Sequence, residues 1–443
     1  MTNQIATLDM GKKFKKTPAG EIPVEWEVAT ISSLCDINPS KTEIGRLENT
    51  TQVSFIRMEN IIEDAGGISE IREGRLGDFI NKGYTYFREG DLLFAKITPC
   101  MENGKVALAK NLKDGIGFGS TEFHVLRIDE KKILSQYLFY WVSQKSFREL
   151  AARHFRGSAG QQRVQRDFFD DAFVPIPPLP EQKKIAEILT AVDESIEKTR
   201  AVIEKTKELK KGLMQTLLTR GIGHKKFKKT PAGEIPVEWE VEQIKNLTRM
   251  YSGGTPSRQK QDYFGGGIPW VKSGELNSQF ITHTEETITE EGLSNSSAKW
   301  VPENSVLVAM YGATAGQVAL LKIKATINQA ILAVIPVTEK LISGYLYYFM
   351  QMIAPHLISI TQGSGQPNLS QEIVAPVYLV VPSLAEQKKI AEILTAVDEE
   401  IEKEESMRKT LQEQKKALMQ NLLSGKVRVL IGDHYGTSDT RGK

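Results

Sequence analysis

Fourteen residues, EQKKIAEILTAVDE, fill positions 181–194 and return unchanged at 386–399, 205 residues later. A second block, KKFKKTPAGEIPVEWEV, fills 12–28 and returns at 225–241, 213 residues later. The chain therefore runs block, insert, long segment, block, insert, long segment. Repetition on this scale constrains the architecture before any single element is assigned, because repeated units fold alike. The inserts, about 29–175 and 242–380, are similar in length but share little sequence. A constant frame around two dissimilar inserts is the layout of a device that reads two different things at a fixed separation.

The long segments are helical by their periodicity. Ile185, Leu189, Val192, Ile196, Thr199, Ile203, Thr206, Lys210, Leu213 and Leu217 recur at alternating steps of four and three, which is a heptad seam. The second copy places Ile390, Leu394, Val397, Ile401, Glu404, Arg408, Leu411, Lys415, Leu418 and Leu422 on the same spacing. Pro178, Pro180 and Pro382 permit the helix starts, and Gly221 and Gly425 mark the ends. Thirty-eight helical residues measure about 57 Å at 1.5 Å each. A long helix cannot bury its stripe alone. The expectation is an antiparallel pair within the chain, with Glu404 and Arg408 fixing its register; the alternative is that each helix packs on its own insert.

Bulk properties exclude several classes. With 40% hydrophobic and 25% charged residues, the chain suits a folded protein rather than a disordered one. No apolar run approaches the ~20 residues that span a bilayer. The N-terminus lacks the apolar core of a signal peptide, so a cytoplasmic location is expected. Cys35 and Cys100 cannot make a disulfide scaffold or a four-ligand metal site. The net charge of +2 implies no global attraction to nucleic acid, so local charge matters more. Within 145–166, Lys145, Arg148, Arg153, Arg156, Arg163 and Arg166, with His154, stand against one acid, Glu149. Each copied block opens with four lysines (Lys12, Lys13, Lys15, Lys16 and Lys225, Lys226, Lys228, Lys229), which read either as phosphate or partner contacts or as hydrated linkers, the linker being favoured.

The inserts read as α+β. Strands are expected at 53–58, 91–97, 105–108 and 122–128, then a helix over 135–152. The second insert shows the same succession, with strands at 305–311, 317–321 and 326–335 and a helix over 343–354. Both lead through an apolar stretch, 172–177 and 373–381, into the heptad helix.

This arrangement resembles the specificity subunit of type I restriction–modification systems, over nearly the whole chain. The carriers are GEIPVEWEV before each insert, GDLLFAKITPCMENGKVALA and GQQRVQRDFFDDAFVPIPPLPEQKKIAEIL in the first half, and SGGTPSRQKQDYFGGGIPWVKSGEL, AMYGATAGQVAL and GSGQPNLSQEIVAPVYLVVPSLAEQKKIAEIL in the second. The resemblance implies an α+β chain of two α/β target-recognition domains joined by two long antiparallel coiled-coil helices in a pseudo-twofold repeat. The expected divisions are 1–178, helix 179–221, 222–382, helix 383–425 and a flexible tail 426–443. Each recognition domain is expected to read one half of an asymmetric bipartite site in the major groove of double-stranded DNA. The helices are expected to set the gap and dock two methyltransferase subunits. Lengthening a helix, for instance by four residues within 186–191, is then expected to change the gap and keep the half-sites.

Lys and Arg on phosphates supply affinity, and Arg, Asn and Gln on base edges supply sequence reading. In the first insert these types gather in 154–166, which with the adjacent Arg153 gives Arg153, Arg156, Ser158, Gln161, Gln162, Arg163 and Arg166 as candidates, and in loop 96–105, giving Lys96, Thr98 and Lys105. Together, Arg156→Ala and Arg163→Ala are expected to weaken binding and flatten its salt dependence. In the second insert the candidates are Thr255, Arg258, Lys260, Lys272, Tyr311, Thr314, Gln362, Ser364, Gln366 and Asn368.

Catalytic motifs are missing. There is no Asn or Asp-Pro-Pro-aromatic loop, no G-x-G-x-x-G after a strand and no Walker A sequence. Glu208-x-Lys210 and Glu413-x-Lys415 fit a nuclease fragment only by chance, since both lie on the heptad helices. The six histidines show no metal-ligand spacing, so no metal site is expected. By resemblance this chain is not an enzyme and carries no cofactor. S-adenosylmethionine sits on the methyltransferase subunit for adenine-N6 methylation, and ATP and Mg sit on the restriction subunit that translocates and cleaves. The rival classes are a coiled-coil protein–protein adaptor and an enzyme with an unrecognised site.

Overall fold

The computed structural model describes residues 5–6, 13–45, 47–64, 67–158, 160–361 and 368–429. Lys12 and the expected tail beyond Val429 lie outside them. The chain divides into two compact units, residues 1–200 with 407–443, and residues 201–406. Both long helices are continuous, Leu179–Arg220 and Leu384–Leu423, so each unit takes a length of both.

The two inserts have one topology despite their different sequences. In the first unit a sheet orders strands Val106–Leu108, Leu92–Ala95, Phe123–Ile128 and Cys35–Ile37. In the second the order is Val318–Leu321, Val306–Ala309, Ile331–Pro336 and Thr248–Ser252, with Phe280–Ile281 added in parallel at one edge. Each unit has a second four-stranded sheet with one parallel pair, Gln52–Ile56 beside Ile116–Gly119 and Phe264–Val271 beside Ala325–Ile327.

Several expectations need correction. The apolar run 326–335 is two strands in two different sheets, separated at Asn328–Ala330 by a turn in which Asn328 Oδ1 accepts from Ala330 N at 3.1 Å. The helix expected over 135–152 is two, Ser135–Ser143 and Lys145–Ala152, broken at the extended Gln144; the second then buries Phe147 and Ala151. The copied lysine blocks are also not linkers. They fold as antiparallel hairpins, Phe14–Thr17 with Gly20–Pro23 and Phe227–Thr230 with Gly233–Pro236, that bury Ile22 and Ile235.

The copied helix start is used alike in both units, with a tryptophan on the glutamate in each and a different second partner. In the first, Glu181 is buried and accepts from Trp26 Nε1 at 3.1 Å and from Arg428 Nη2 at 2.7 Å. In the second, Glu386 accepts from Trp239 Nε1 at 3.0 Å and faces His224 Nε2 at 2.9 Å. The next residue ties the helix to the insert. Gln182 accepts from Leu134 N at 2.8 Å and donates to Pro177 O at 2.8 Å; Gln387 does the same with Ile342 N at 3.0 Å and Pro382 O at 2.9 Å.

The heptad seam is buried or half-buried at every expected position. Within the first unit, Ile185 and Leu189 share a core with Tyr137, Leu138, Met419 and Leu422. Within the second, Leu217, Ile390 and Leu394 share one with Tyr345, Leu346 and Met214. Each unit therefore packs the start of one helix antiparallel to the end of the other, and both against the insert. Register is held by Asp193 with Lys415 in the first unit and Asp398 with Lys210 in the second, each pair 2.6 Å apart, rather than by Glu404 and Arg408. Among the described residues no helix is long and apolar enough to cross a membrane.

Candidate nucleic-acid interface

In each unit three segments meet at one end of the main sheet. In the first, Lys96 N donates to Glu122 O at 2.9 Å and Val164 N to Lys96 O at 2.9 Å. In the second, Met310 N donates to Ala330 O at 2.8 Å and Leu369 N to Met310 O at 2.7 Å. Backbone for backbone this is one arrangement. Lys96 corresponds to Met310, Glu122 to Ala330 and Arg163 to Asn368, so the frame is constant while the side chains differ.

The stretch 154–166 forms a hairpin, with Phe155–Arg156 paired to Arg163–Val164. Gly157 (φ 121°) and Gly160 (φ 82°) take backbone angles that a side chain disfavours, turning the chain within six residues. Ser158 and Gln161 are exposed at the tip, while Gln162 and Arg163 are half-buried. A bridge from Ile97 to Arg163 and a bond from Thr98 N to Gln162 O at 3.0 Å seat this hairpin on loop 96–105. The two candidate stretches of the first insert are therefore brought together.

The basic cluster is less bare than the sequence window suggests. Arg156 meets Asp167 at 3.0 Å, Arg166 meets Asp170 at 3.5 Å, Arg148 meets Asp64 at 2.7 Å and Lys145 meets Glu149 at 3.7 Å. Two of these acids lie just past the window and Asp64 comes from another loop. The Arg156 and Arg166 pairs are exposed, and such pairs are worth about 0–1 kcal/mol, so a phosphate can replace the carboxylate. Arg163 differs. Its Nε and Nη2 bind Glu122 at 2.9 and 2.8 Å, and its Nη1 donates to Gln161 O at 2.9 Å. The Arg163 hydrogen bond holds the Glu122 carboxyl below the usual range, and burial lowers the half-buried Lys96 beside it. Lys105 is turned inward, donating to Met58 O at 3.1 Å; Thr98 donates to Glu102; Arg153 is exposed.

His124 fastens the hairpin to the sheet. Its Nε2 lies 2.9 Å from Val164 O, which can only accept, so Nε2 carries the proton. Asn38 uses its oxygen on Val125 N at 3.0 Å and its amide on His124 Nδ1 at 3.1 Å. The imidazole is thus held neutral, and burial pushes its pKa down to about 4. The unfolded chain takes up this proton near the ordinary value of about 6.5 while the folded chain resists it. The stabilisation is complete above that value and is lost as pH falls to about 4, amounting to roughly 3 kcal/mol in all. A His124→Asn variant is expected to show a smaller difference in melting temperature between pH 7 and pH 5 than the native chain. An equal difference would remove His124 as the source.

In the second unit the candidates form two groups. Arg258 lies over Phe264 and Trp270 (4.4 and 5.1 Å) and meets Glu286 at 2.7 Å; Lys272 reaches Glu286 at 2.9 Å and Glu285 at 2.8 Å. Arg258 and then Lys272 lower the Glu286 carboxyl, and Glu285 and Glu286 raise Lys272. Lys260 donates to Tyr263 Oη at 2.9 Å and Thr255 to Gln329. Gly253 is obligatory here, since a Cβ would stand 1.8 Å from Ile327 O. Tyr311 and Thr314 lie on the loop after Met310, next to Asn368 at the sheet end. Gln362, Ser364 and Gln366 fall outside the described residues.

Two residues of these sites escaped the sequence reading, Glu122 and His124's partner Asn38. Nothing local marks either, because their partners lie 41 and 86 residues away. Cys35 is buried, which pushes its thiol up to about 12. Among the described residues no three His, Cys, Asp or Glu gather as a metal site.

Residues 23–207 and 236–411 match the family model described as the type I restriction modification DNA specificity domain. The chain belongs to the type I restriction–modification specificity subunits. The putative type I restriction enzyme MjaX specificity subunit of Methanocaldococcus jannaschii is 27% identical, over 94% of this chain and 97% of that one. The EcoAI specificity subunit of Escherichia coli is 35% identical over 44% of this chain and 33% of its own length. The solved S subunit from M. genitalium shares the fold of this specificity subunit, with a TM-score of 0.55 at 15% identity, over 94% of this chain and 98% of that one. A chain from a type I R-M system structure likewise gives 0.55 at 20% identity, over 91% and 99%. The two family matches coincide with the two inserts and run into the helices, so the internal repeat is a repeat of target-recognition domains.

Proposed function

We propose that each unit of this specificity subunit binds one half of an asymmetric, bipartite duplex site through the end of its main sheet. The observation that carries this is the shared backbone frame with different side chains, Lys96, Glu122 and Arg163 against Met310, Ala330 and Asn368. A reader of two different half-sites needs that combination. The loops enter the major groove, where each base pair presents a distinct pattern of donors and acceptors. Exposed Arg156, Arg166 and Arg153 contact phosphates. On this reading half-site centres lie about 34–36 Å apart, one helical turn, on one face of the duplex. The long helices set the gap and dock two methyltransferase subunits. Those subunits hold S-adenosylmethionine and flip the adenine for N6-methylation; a restriction subunit adds ATP- and Mg-dependent translocation and cleavage. This chain then supplies specificity and no catalysis.

The test is genome-wide mapping of N6-methyladenine in a host with this chain and its methyltransferase subunit, against a host lacking only this chain. A chain-dependent asymmetric motif with a fixed gap is expected. An assembled complex that methylates no chain-dependent motif would sink the reading and leave an adaptor.

A further inference from the structure

We propose that Arg163, set in place by Glu122, reads a guanine in the half-site of the first unit; this rests on the reading that this unit binds duplex DNA. A guanidinium has five N–H donors. Three are engaged, Nε and one on Nη2 by the Glu122 carboxylate and one on Nη1 by Gln161 O. One N–H therefore remains on each terminal nitrogen. Guanine offers O6 and N7 side by side in the major groove, and a bidentate arginine is its commonest specific partner. Among the described residues two donors of Arg163 are left over, the number that those two acceptors take.

Charge argues against the simpler assignment to phosphate. The Arg163–Glu122 pair is neutral as a unit, and a neutral pair gains little from a phosphate's field. Its direction is kept, because the carboxylate grips it along two parallel bonds and the side chain is only 36% exposed. Arg156 and Arg166 are the reverse, more exposed and loosely paired at 3.0 and 3.5 Å. Phosphate anchoring falls to them and base reading to Arg163.

The position is also built for reading. Arg163 sits where loop 96–105, the start of strand Phe123–Ile128 and the hairpin meet, on backbone bonded at three points. The same frame in the second unit carries Asn368 and has alanine at the place of Glu122. At this place in the frame, an arginine with its carboxylate is therefore present in the first unit and absent from the second. Glu122 is a positioning residue, and Arg163 touches the base.

The experiment selects bound duplexes from a randomised pool, using this chain co-purified with its methyltransferase subunit. Native complex, Arg163→Ala, Arg163→Lys and Glu122→Gln are compared, each at two salt concentrations. The native motif is expected to contain a G·C pair in one half-site. Arg163→Ala and Arg163→Lys are expected to relax that pair by roughly ten- to a hundredfold in preference. The salt slope and the other half-site should stay unchanged, and that retained half-site shows the variants to be folded. Arg163→Lys keeps the charge and loses the fork, so relaxation there separates base reading from charge. Glu122→Gln keeps one acceptor and is expected to relax the same pair more weakly. An even loss over all sequences with a shallower salt slope would make Arg163 a phosphate contact and overturn the proposal. So would an unrelaxed half-site, or a motif with no G·C pair there. A native complex that selects no bipartite motif would overturn the functional reading itself.

Discussion

Asp193→Ala is expected to cost the first unit about 3 kcal/mol or more, because it strands a buried charge. The Lys415 ammonium lies 2.6 Å from Asp193 and its side chain is 10% exposed. Tyr140 donates to the same carboxylate at 2.8 Å, and burial, reinforced by Asp193, holds that phenol above its ordinary value, so it stays a donor. Alanine would leave the ammonium unmatched between packed helices, while the Tyr140 hydroxyl keeps Thr190 Oγ1 at 3.1 Å. Asp398→Ala should cost less in the second unit, where Lys210 and Tyr348 take the same places at 2.6 and 2.9 Å but Lys210 also donates to Gln351 Oε1 at 3.2 Å. The cost belongs to the orphaned partner more than to the pair. Replacing both groups, as Asp193→Leu with Lys415→Met, is therefore expected to recover most of the loss. Denaturant unfolding of native, single and double variants measures this. A single variant within about 0.5 kcal/mol of native would mean that water reaches Lys415 and that the pair does not hold the register.

The same cluster shows what was legible in the sequence. A heptad is a local pattern, so all ten positions of each seam could be read and all are buried or half-buried. That Lys210 and Lys415 would find aspartates on the opposite helix depends on register, which periodicity does not specify. Among the strands, apolar runs such as Leu92–Ala95 and Val106–Leu108 announced themselves. Arg72–Arg75 and Ile116–Gly119 did not, since REGR and IGFG carry the residues of loops and pair only because a neighbouring strand is already in place. The helix expected to end at Ala354 runs to Thr361 through Pro355, because Leu357 is still packed into the core and outweighs the lost hydrogen bond. Charge was the least legible. A basic window can be counted along the chain, but Glu122 and Asp64 reach Arg163 and Arg148 from other segments, and only topology brings them there.

Register also decides where the helices can be lengthened. Four residues inserted within 186–191 would advance everything beyond them by about 6 Å. Asp193 would move away from Lys415 inside the first unit, and the variant would fail from instability before it reported on spacing. An insertion after Arg200 paired with one after Ser406 avoids this, since both helices there pass from one unit to the other. The Asp193–Lys415 and Lys210–Asp398 pairs then keep their sequence context. One heptad at each point adds about 10 Å and turns the seam by only about 20°. At 3.4 Å per base pair the preferred gap should grow by about three pairs. A duplex of about 10.5 pairs per turn rotates by about 100° over that length, so affinity at the new gap should fall as DNA absorbs the twist. Methylation at the native sites is expected to disappear, and the bases of both half-sites to stay as they were. Methylome mapping of the paired-insertion variant reads all three outcomes at once. An unchanged gap would deny the helices their role as the ruler, and altered bases would mean that the recognition surfaces draw on the helices themselves.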